Sequence, residues 1–147
     1  IKEHVANSTD YKGSYKLLMR SKTIPAPTGA PNLVEITDLM NANQTFLEGI
    51  KQTEQKEFTG NLEREYVDAI NALKGKVVDV IHLYGSDGLG AYGKYAYSGT
   101  VTCSVSAIGG VDEVVEMSAY VTPSTDIVDL TSELTVTDAG SGSYTVA

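Results

Sequence analysis

The sequence predicts a mainly β (α+β) fold, an antiparallel β-sandwich or barrel flanked by one α-helix. Residues 100–107 alternate strictly between polar and apolar side chains, and this period of two is that of a strand with two different faces. Only residues 61–74 carry a convincing helical spacing of apolar side chains, and strand-like segments precede and follow them. Such an order is typical of an antiparallel sheet with a helix packed against it.

Size and composition are those of one globular domain. The chain has 147 residues, of which 41% are apolar and 20% charged. It has no apolar run of about 18 residues that could span a membrane, and its polar first residues lack the apolar core of a secretory signal. The single cysteine, Cys103, excludes an internal disulfide, and its position on an apolar strand face favours a small buried residue over a reactive thiol.

The charge distribution disfavours binding to nucleic acid. The net charge is −8, and all 11 Lys and Arg residues lie at or before Lys94. Proteins that hold DNA or RNA neutralise phosphates with clustered basic side chains, which the C-terminal part of this chain lacks. The acidic residues after Lys94 are Asp112, Glu113, Glu116, Asp126, Asp129, Glu133 and Asp138.

The N-terminal part predicts extended segments joined by polar loops. Residues 1–13 predict an arm, and residues 14–20 predict the first strand. Two further strands are predicted at 33–38 and 44–50. The connector 21–32 cannot lie in mid-sheet because proline lacks a ladder donor. Its prolines are Pro25, Pro27 and Pro31.

The segment 51–57, KQTEQKE, has no apolar side chain. It is either a free loop or an extended strand whose two faces meet water or another subunit. Composition alone does not separate these two interpretations.

Residues 61–74 predict the helix. Asn61 is a suitable N-cap, acidic residues occupy the first turn, and Gly75 suits the C-terminal end. The apolar stripe at helical spacing must be buried against a sheet. It consists of Leu62, Tyr66, Ala69, Ile70 and Leu73.

The following residues, 76–84, predict a strand that is apolar on both faces, which indicates either a central position in a sheet or one face covered by the helix. His82 within it is predicted to be a packed or interface residue rather than a ligand. Residues 98–121 then predict a long hairpin with a turn at Gly109-Gly110. Its first strand has an apolar face of Val101, Cys103, Val105 and Ala107, and a hydroxyl-bearing face of Thr100, Thr102, Ser104 and Ser106. Residues 133–137 and 143–146 predict a last hairpin.

No residue pattern predicts catalysis, a metal site or a cofactor site, so the chain is expected not to be an enzyme. Gly88, Gly90 and Gly93 match a dinucleotide-binding pattern, but the chain continues into a strand where that site needs a helix. Two histidines are too few for a histidine metal cluster. Glu113 and Glu116 are three residues apart on a strand and point to opposite faces.

Two runs, KEFTGNLEREYVDAINALKGKVVDVIHLYG (56–85) and GKYAYSGTVTCSVSAIGGVDEVVEMSAYVTPS (93–124), carry a resemblance. In this order of polar strand, amphipathic helix, apolar strand, glycine loop and long hairpin, the chain resembles the major tail tube proteins of long-tailed bacteriophages with non-contractile tails. The resemblance covers about residues 30–124. It implies a division into an arm (1–13), a tail-tube domain (14–124) and a C-terminal arm or hairpin (125–147).

The resemblance further implies that six copies form a ring and that rings stack into a tube through which viral DNA passes without specific binding. Hairpins at about 45–59 and 95–122 would join across subunits into a β-barrel around the lumen. Residues expected on lumen or inter-subunit strands are Gln52, Glu54, Lys56, Glu57, Thr100, Thr102, Ser104, Ser106, Glu113, Glu116 and Ser118. Ring stacking is expected to involve Pro25, Pro27 and Pro31.

The implied partners are further copies of the chain, the tail terminator, tail tip and tape-measure proteins, with no membrane insertion. The implied location is the virion tail, assembled in the bacterial cytoplasm. Two alternatives stay open. One is a tube protein of a contractile tail, a phage-tail-like bacteriocin or a secretion machine. The other is a monomeric β-sandwich module that binds a ligand.

Overall fold

The computed structural model describes residues 1–5, 10–27, 33–36, 44, 46–48, 54–105 and 114–147. This part of the chain is mainly β, with antiparallel sheets and one short helix, which confirms the predicted fold class. No helix within it is long and apolar enough to cross a membrane. The elements are β1 Lys2–Glu3, β2 Gly13–Lys16, β3 Ser21–Thr23, β4 Leu33–Glu35, β5 Phe46–Glu48, β6 Lys56–Asn61, α1 Arg64–Ala72, β7 Val77–Tyr84, β8 Gly93–Val105, β9 Glu116–Pro123, β10 Val128–Asp129, β11 Val136–Gly140 and β12 Ser143–Val146.

The larger sheet has seven strands and carries the predicted long hairpin at its centre. Its order is β1-β7-β8-β9-β6-β3, and β10 also pairs with β8. Strands β8 and β9 are antiparallel neighbours from the pair Gly99–Pro123 to the pair Val105–Met117, as the alternating pattern predicted. The predicted turn at Gly109-Gly110 lies outside the described residues.

One face of the larger sheet packs on α1 and forms the main core. Val78, Val101 and Met117 of the sheet are fully buried there, together with Ile70 of the helix. The other face of β7 is covered as well, so both faces of this largely apolar strand are packed, although its outer edge pairs only with the two residues of β1.

The predicted apolar face of the hairpin is buried only in part. Val101 is fully buried, and Cys103 is partly buried with its Sγ 3.6 Å from the Oδ1 of Asn71. Val105 is 52% exposed, so the prediction that it packs inward is wrong. The reason is that β8 continues beyond β7, whose pairing with β8 ends at Thr100. Ala107 lies outside the described residues.

A three-stranded sheet, ordered β11-β12-β2, covers part of the second face of the larger sheet. Its buried side chains Tyr15, Val136 and Val146 form a second core, against which Ile81 and Leu83 of β7 pack. The last hairpin is therefore confirmed as β11 and β12, and it forms a second layer of the fold rather than a detached arm.

Of the segment 1–13, predicted as an arm or loop, residues 2–3 lie in the larger sheet and residues 13–16 in the three-stranded sheet. Strand β1 pairs with β7 in antiparallel register, with Lys2 opposite Asp79. Asp79 is buried, and His4 and Lys2 supply its partners, so polar residues are needed at this position. The first strand is shorter than predicted, since β2 ends at Lys16 and residues 17–20 leave the sheet.

The helix begins at Arg64, three residues later than predicted. Asn61 is the last residue of β6 and pairs with Glu116, so it is not the N-cap. The N-cap is Glu63, and its side chain makes no capping hydrogen bond. Val67 and Ile70 are the buried helix residues, whereas Leu62 and Ala69 of the predicted stripe are exposed.

The proline connector approaches the sheet edge as strand β3, which pairs with β6. Pro25 is half-buried, Pro27 is buried, and Pro31 lies outside the described residues. Of the prolines expected at a ring-stacking contact, Pro27 thus has its side chain covered by this chain itself. Strands β4 and β5 form a separate two-stranded sheet.

Candidate assembly surface

A continuous polar surface lies on three neighbouring strands, β6, β9 and β8. Strand register aligns Glu57, Tyr120 and Thr102 in one row across the sheet. Thr59, Ser118 and Ser104 form the next row. We call this surface the hydroxyl face, because most of its side chains carry hydroxyl groups. It consists of Glu57, Thr59, Asn61, Thr100, Thr102, Ser104, Glu116, Ser118, Tyr120 and Thr122.

The hydroxyl face is at least partly exposed at every position, whereas its continuation is covered. Further along β8, Ser98 and Ala96 point to the same side and are buried beneath the second layer. The opposite side of these strands carries Phe58, Met117 and Val121, all buried in the main core. The polar surface is thus the uncovered half of a sheet face. None of its ten residues is Lys or Arg, and two are acidic.

The structure brings together six of the residues predicted to lie on lumen or inter-subunit strands. Those on the hydroxyl face are Glu57, Thr100, Thr102, Ser104, Glu116 and Ser118. Glu54 is exposed and lies two residues before β6. Gln52, Ser106 and Glu113 lie outside the described residues.

Lys56 lies on β6, one of the strands expected at the lumen or a subunit interface, but its side chain does not belong to the hydroxyl face. It lies on the core side of β6, where it is buried, and its Nζ donates a hydrogen bond of 2.8 Å to the carbonyl of Ala26. The alternation of β6 explains this position, because Glu57 and Thr59 occupy the other side. The hydroxyl face therefore carries no positive charge from this strand.

Sequence reasoning missed Thr59, Asn61 and Thr122 as members of the hydroxyl face. Each lies in a polar–apolar alternation, but only strand pairing joins them to the face: β6 pairs with β9 at Thr59 and Asn61, and β9 places Thr122 opposite Thr100 of β8. The signal in the sequence was the alternation Glu57-Phe58-Thr59-Gly60-Asn61, which continues the apolar-free segment into a strand.

The buried carboxylate of Asp79 and its polar partners lie where the hydroxyl face passes beneath the three-stranded sheet. Ser98 Oγ donates to Asp79 Oδ1 over 2.6 Å, and His4 Nδ1 is 2.7 Å from the same oxygen. The Nζ of Lys2 is 3.5 Å from Oδ2. Because the serine donates to the carboxylate and not to an imidazole, this geometry does not activate a nucleophile. Its effect is to attach β1 to the centre of the sheet.

His82 lies beside the main core, where its Nε2 is 2.9 Å from the hydroxyl of Tyr97. Burial, with a smaller contribution from the charges of Lys56 and the N-terminus, lowers the pKa of His82 to about 4. Its Nδ1 has no hydrogen-bond partner among the described residues. His82 also lines a cavity of about 320 Å³ that is bounded mainly by apolar side chains.

Within the described part of the chain, no group of three or more His, Cys, Asp or Glu side chains is placed to hold a metal ion. Comparison with protein-family models, with curated proteins and with solved structures found no match for this chain.

Proposed function

We propose that this chain is a structural virion protein that self-assembles into stacked hexameric rings, and that these rings form a phage tail tube that conducts DNA into the host. The observation that carries the proposal is the hydroxyl face. It forms where the two segments expected to surround a lumen pair with each other, as β6 and β9.

The two sides of the hydroxyl face end in open strand edges. The N–H of Ser124 donates a hydrogen bond to the carbonyl of Ser98. Because backbone groups alternate in direction along an antiparallel strand, the even-numbered residues of β8 direct their backbone N–H and C=O groups towards β9. The odd-numbered residues direct theirs towards the β7 side. Beyond Thr100, β7 no longer pairs with β8. The backbone groups of Cys103 and Val105 therefore face an edge without a partner strand among the described residues.

Among the described residues, strand β6 has a corresponding open edge on the other side of the face. The hydrogen bond from Leu62 N–H to the carbonyl of Val115 shows that even-numbered residues of β6 bond towards β9. Glu57 therefore turns its backbone groups outward, where β3 pairs only with Thr59 and Gly60. Unpaired edges are templates for pairing with another chain.

Pairing of the β8 edge in one copy with the β6 edge in the next would use two different surfaces. Such a head-to-tail contact produces a ring when the rotation closes. The hydroxyl faces would then form one continuous barrel surface. The ten described residues of the face would contribute carboxylates and hydroxyls to that surface and no Lys or Arg, which suits DNA that must pass without adhering.

Sedimentation velocity of the purified chain tests this proposal. Wild-type protein is expected to form hexamers and larger species as its concentration rises. Val105→Pro removes a backbone donor from the open edge without breaking a ladder bond inside the chain, so we expect it to remain monomeric. Val105→Thr keeps both the donor and the branched shape and serves as the matched control. A wild-type chain that stays monomeric at millimolar concentration contradicts the proposal.

A further inference from the structure

The separate sheet of β4 and β5, which we call the apolar hairpin, exposes aliphatic side chains. Val34 and Leu47 are directly opposite each other, and Ile36 follows the end of β4. Their exposed fractions are 53%, 55% and 43%. Leu33 on the other side is 65% exposed. A two-stranded hairpin is marginally stable alone in water, so this one needs a surface to pack against.

The cavity beside β7 has complementary properties. Its walls include Met19, Phe58, Val80 and Ile81, and exposed Leu17 and Ile24 lie at its opening. Its volume of about 320 Å³ is roughly twice that of a cavity that admits benzene. It therefore has room for two branched aliphatic side chains.

Polar groups at the cavity match an inserted backbone as well. The alternation of the β7 ladder turns the backbone groups of Ile81 and Leu83 away from β8. Strand β1 reaches only Asp79, so this edge has no partner strand in the described part of the chain.

The charges of the apolar hairpin and of the cavity are also complementary. The apolar hairpin carries the exposed carboxylates Glu35 and Glu48. The cavity is lined by Lys16, whose side chain is exposed, and Arg20 is exposed four residues further along the same segment. The approach of opposite charges steers the two surfaces together and fixes their orientation.

From this complementarity we infer that the apolar hairpin of one copy inserts Val34 and Leu47 into the cavity beside β7 of a second copy. The occupant is a second copy because the hairpin of this chain is exposed and therefore does not fill its own cavity. This contact rests on the proposed self-assembly and names a second interface, distinct from the strand edges of the hydroxyl face. It is suited to joining one ring to the next.

Disulfide trapping between two variants tests the contact. In a Cys103→Ser background, protein with Leu47→Cys is mixed with a size-tagged protein carrying Leu17→Cys, and oxidation is followed on non-reducing gels. The matched control replaces Leu17→Cys by Val77→Cys, because Val77 is similarly exposed at the far end of β7. We expect the Leu47–Leu17 heterodimer to form at least about tenfold faster than the control pair, since a specific contact raises the effective concentration.

The outcomes separate this contact from the proposed function. Equal rates for the two pairs, in protein that forms rings, overturn the contact and leave the proposed function standing. Absence of both self-association and cross-linking overturns both. A third variant carries both Leu17→Cys and Leu47→Cys in one chain. If its disulfide forms within that chain, and no heterodimer forms in the mixture of single variants, the second copy is overturned as the occupant.

Discussion

The buried His82 predicts a specific loss of stability at acidic pH. Its pKa is lowered from 6.5 to about 4 in the folded chain, mainly by burial. Between these two values the unfolded chain binds more protons than the folded chain, so stability falls as pH falls. The stabilisation that neutral His82 contributes is complete above pH 6.5, decreases as the pH falls from 6.5 to 4, and levels off below pH 4.

The size of this loss follows from the same two values. Each pKa unit corresponds to about 1.4 kcal/mol, so the full loss is on the order of 3 kcal/mol, and about 2 kcal/mol of it is lost by pH 5. That is a substantial part of the roughly 5–15 kcal/mol that stabilises a typical domain.

The assay is urea unfolding at pH 7, 6 and 5, followed by far-ultraviolet circular dichroism at concentrations where the chain is monomeric. His82→Gln removes the titrating group and keeps an acceptor for the Tyr97 hydroxyl. Carboxylates titrate in both proteins, so the quantity that matters is the difference between their pH dependences. We expect the wild type to lose about 2 kcal/mol more than the variant between pH 7 and 5. Equal pH dependences would refute the assignment of a buried, neutral histidine.

Three further substitutions test other parts of the account. Gly99→Ala would place a Cβ against the carbonyl oxygen of Thr122, much closer than van der Waals contact allows. We therefore expect the free energy of unfolding in urea to fall by at least about 1–3 kcal/mol. Unchanged stability would contradict the close approach of β8 and β9. Ile70→Ala should cost about 2–5 kcal/mol and exposed Leu62→Ala far less, and equal losses would show that the helix face is wrongly oriented. Glu57→Lys should change the free energy of unfolding by less than about 0.5 kcal/mol. Assembled tubes of this variant should nevertheless retain duplex DNA in a filter-binding assay. Retention equal to that of wild-type tubes would count against Glu57 facing the lumen.

The sequence predicted those elements whose pattern is set by their own side chains. Strands β7 and β8 were predicted because apolar and β-branched residues cannot be exposed at such density, and the C-terminal hairpin because Gly140 and Gly142 adopt positive φ around its turn. Three residues of the hydroxyl face, Thr100, Thr102 and Ser104, were predicted for the same local reason, from the alternation that begins at Thr100.

The remaining features depend on contacts between distant residues. The docking of β1 follows from the buried Asp79, whose partners His4 and Lys2 resemble ordinary surface residues in the sequence. The late start of α1 follows from the pairing of Asn61 with Glu116, which competes with its use as an N-cap. The burial of Lys56 depends on a carbonyl in the proline connector. None of these contacts leaves a local pattern.

Electron microscopy of concentrated, purified chain tests the central claim most directly. We expect rings of six copies that stack into tubes with a central channel, alone or on seeds of preassembled tube. In a reconstruction at side-chain resolution, the hydroxyl face should line that channel, with β8 of each copy beside β6 of the next. Particles that remain single chains at high concentration, even in the presence of seeds, would contradict the account.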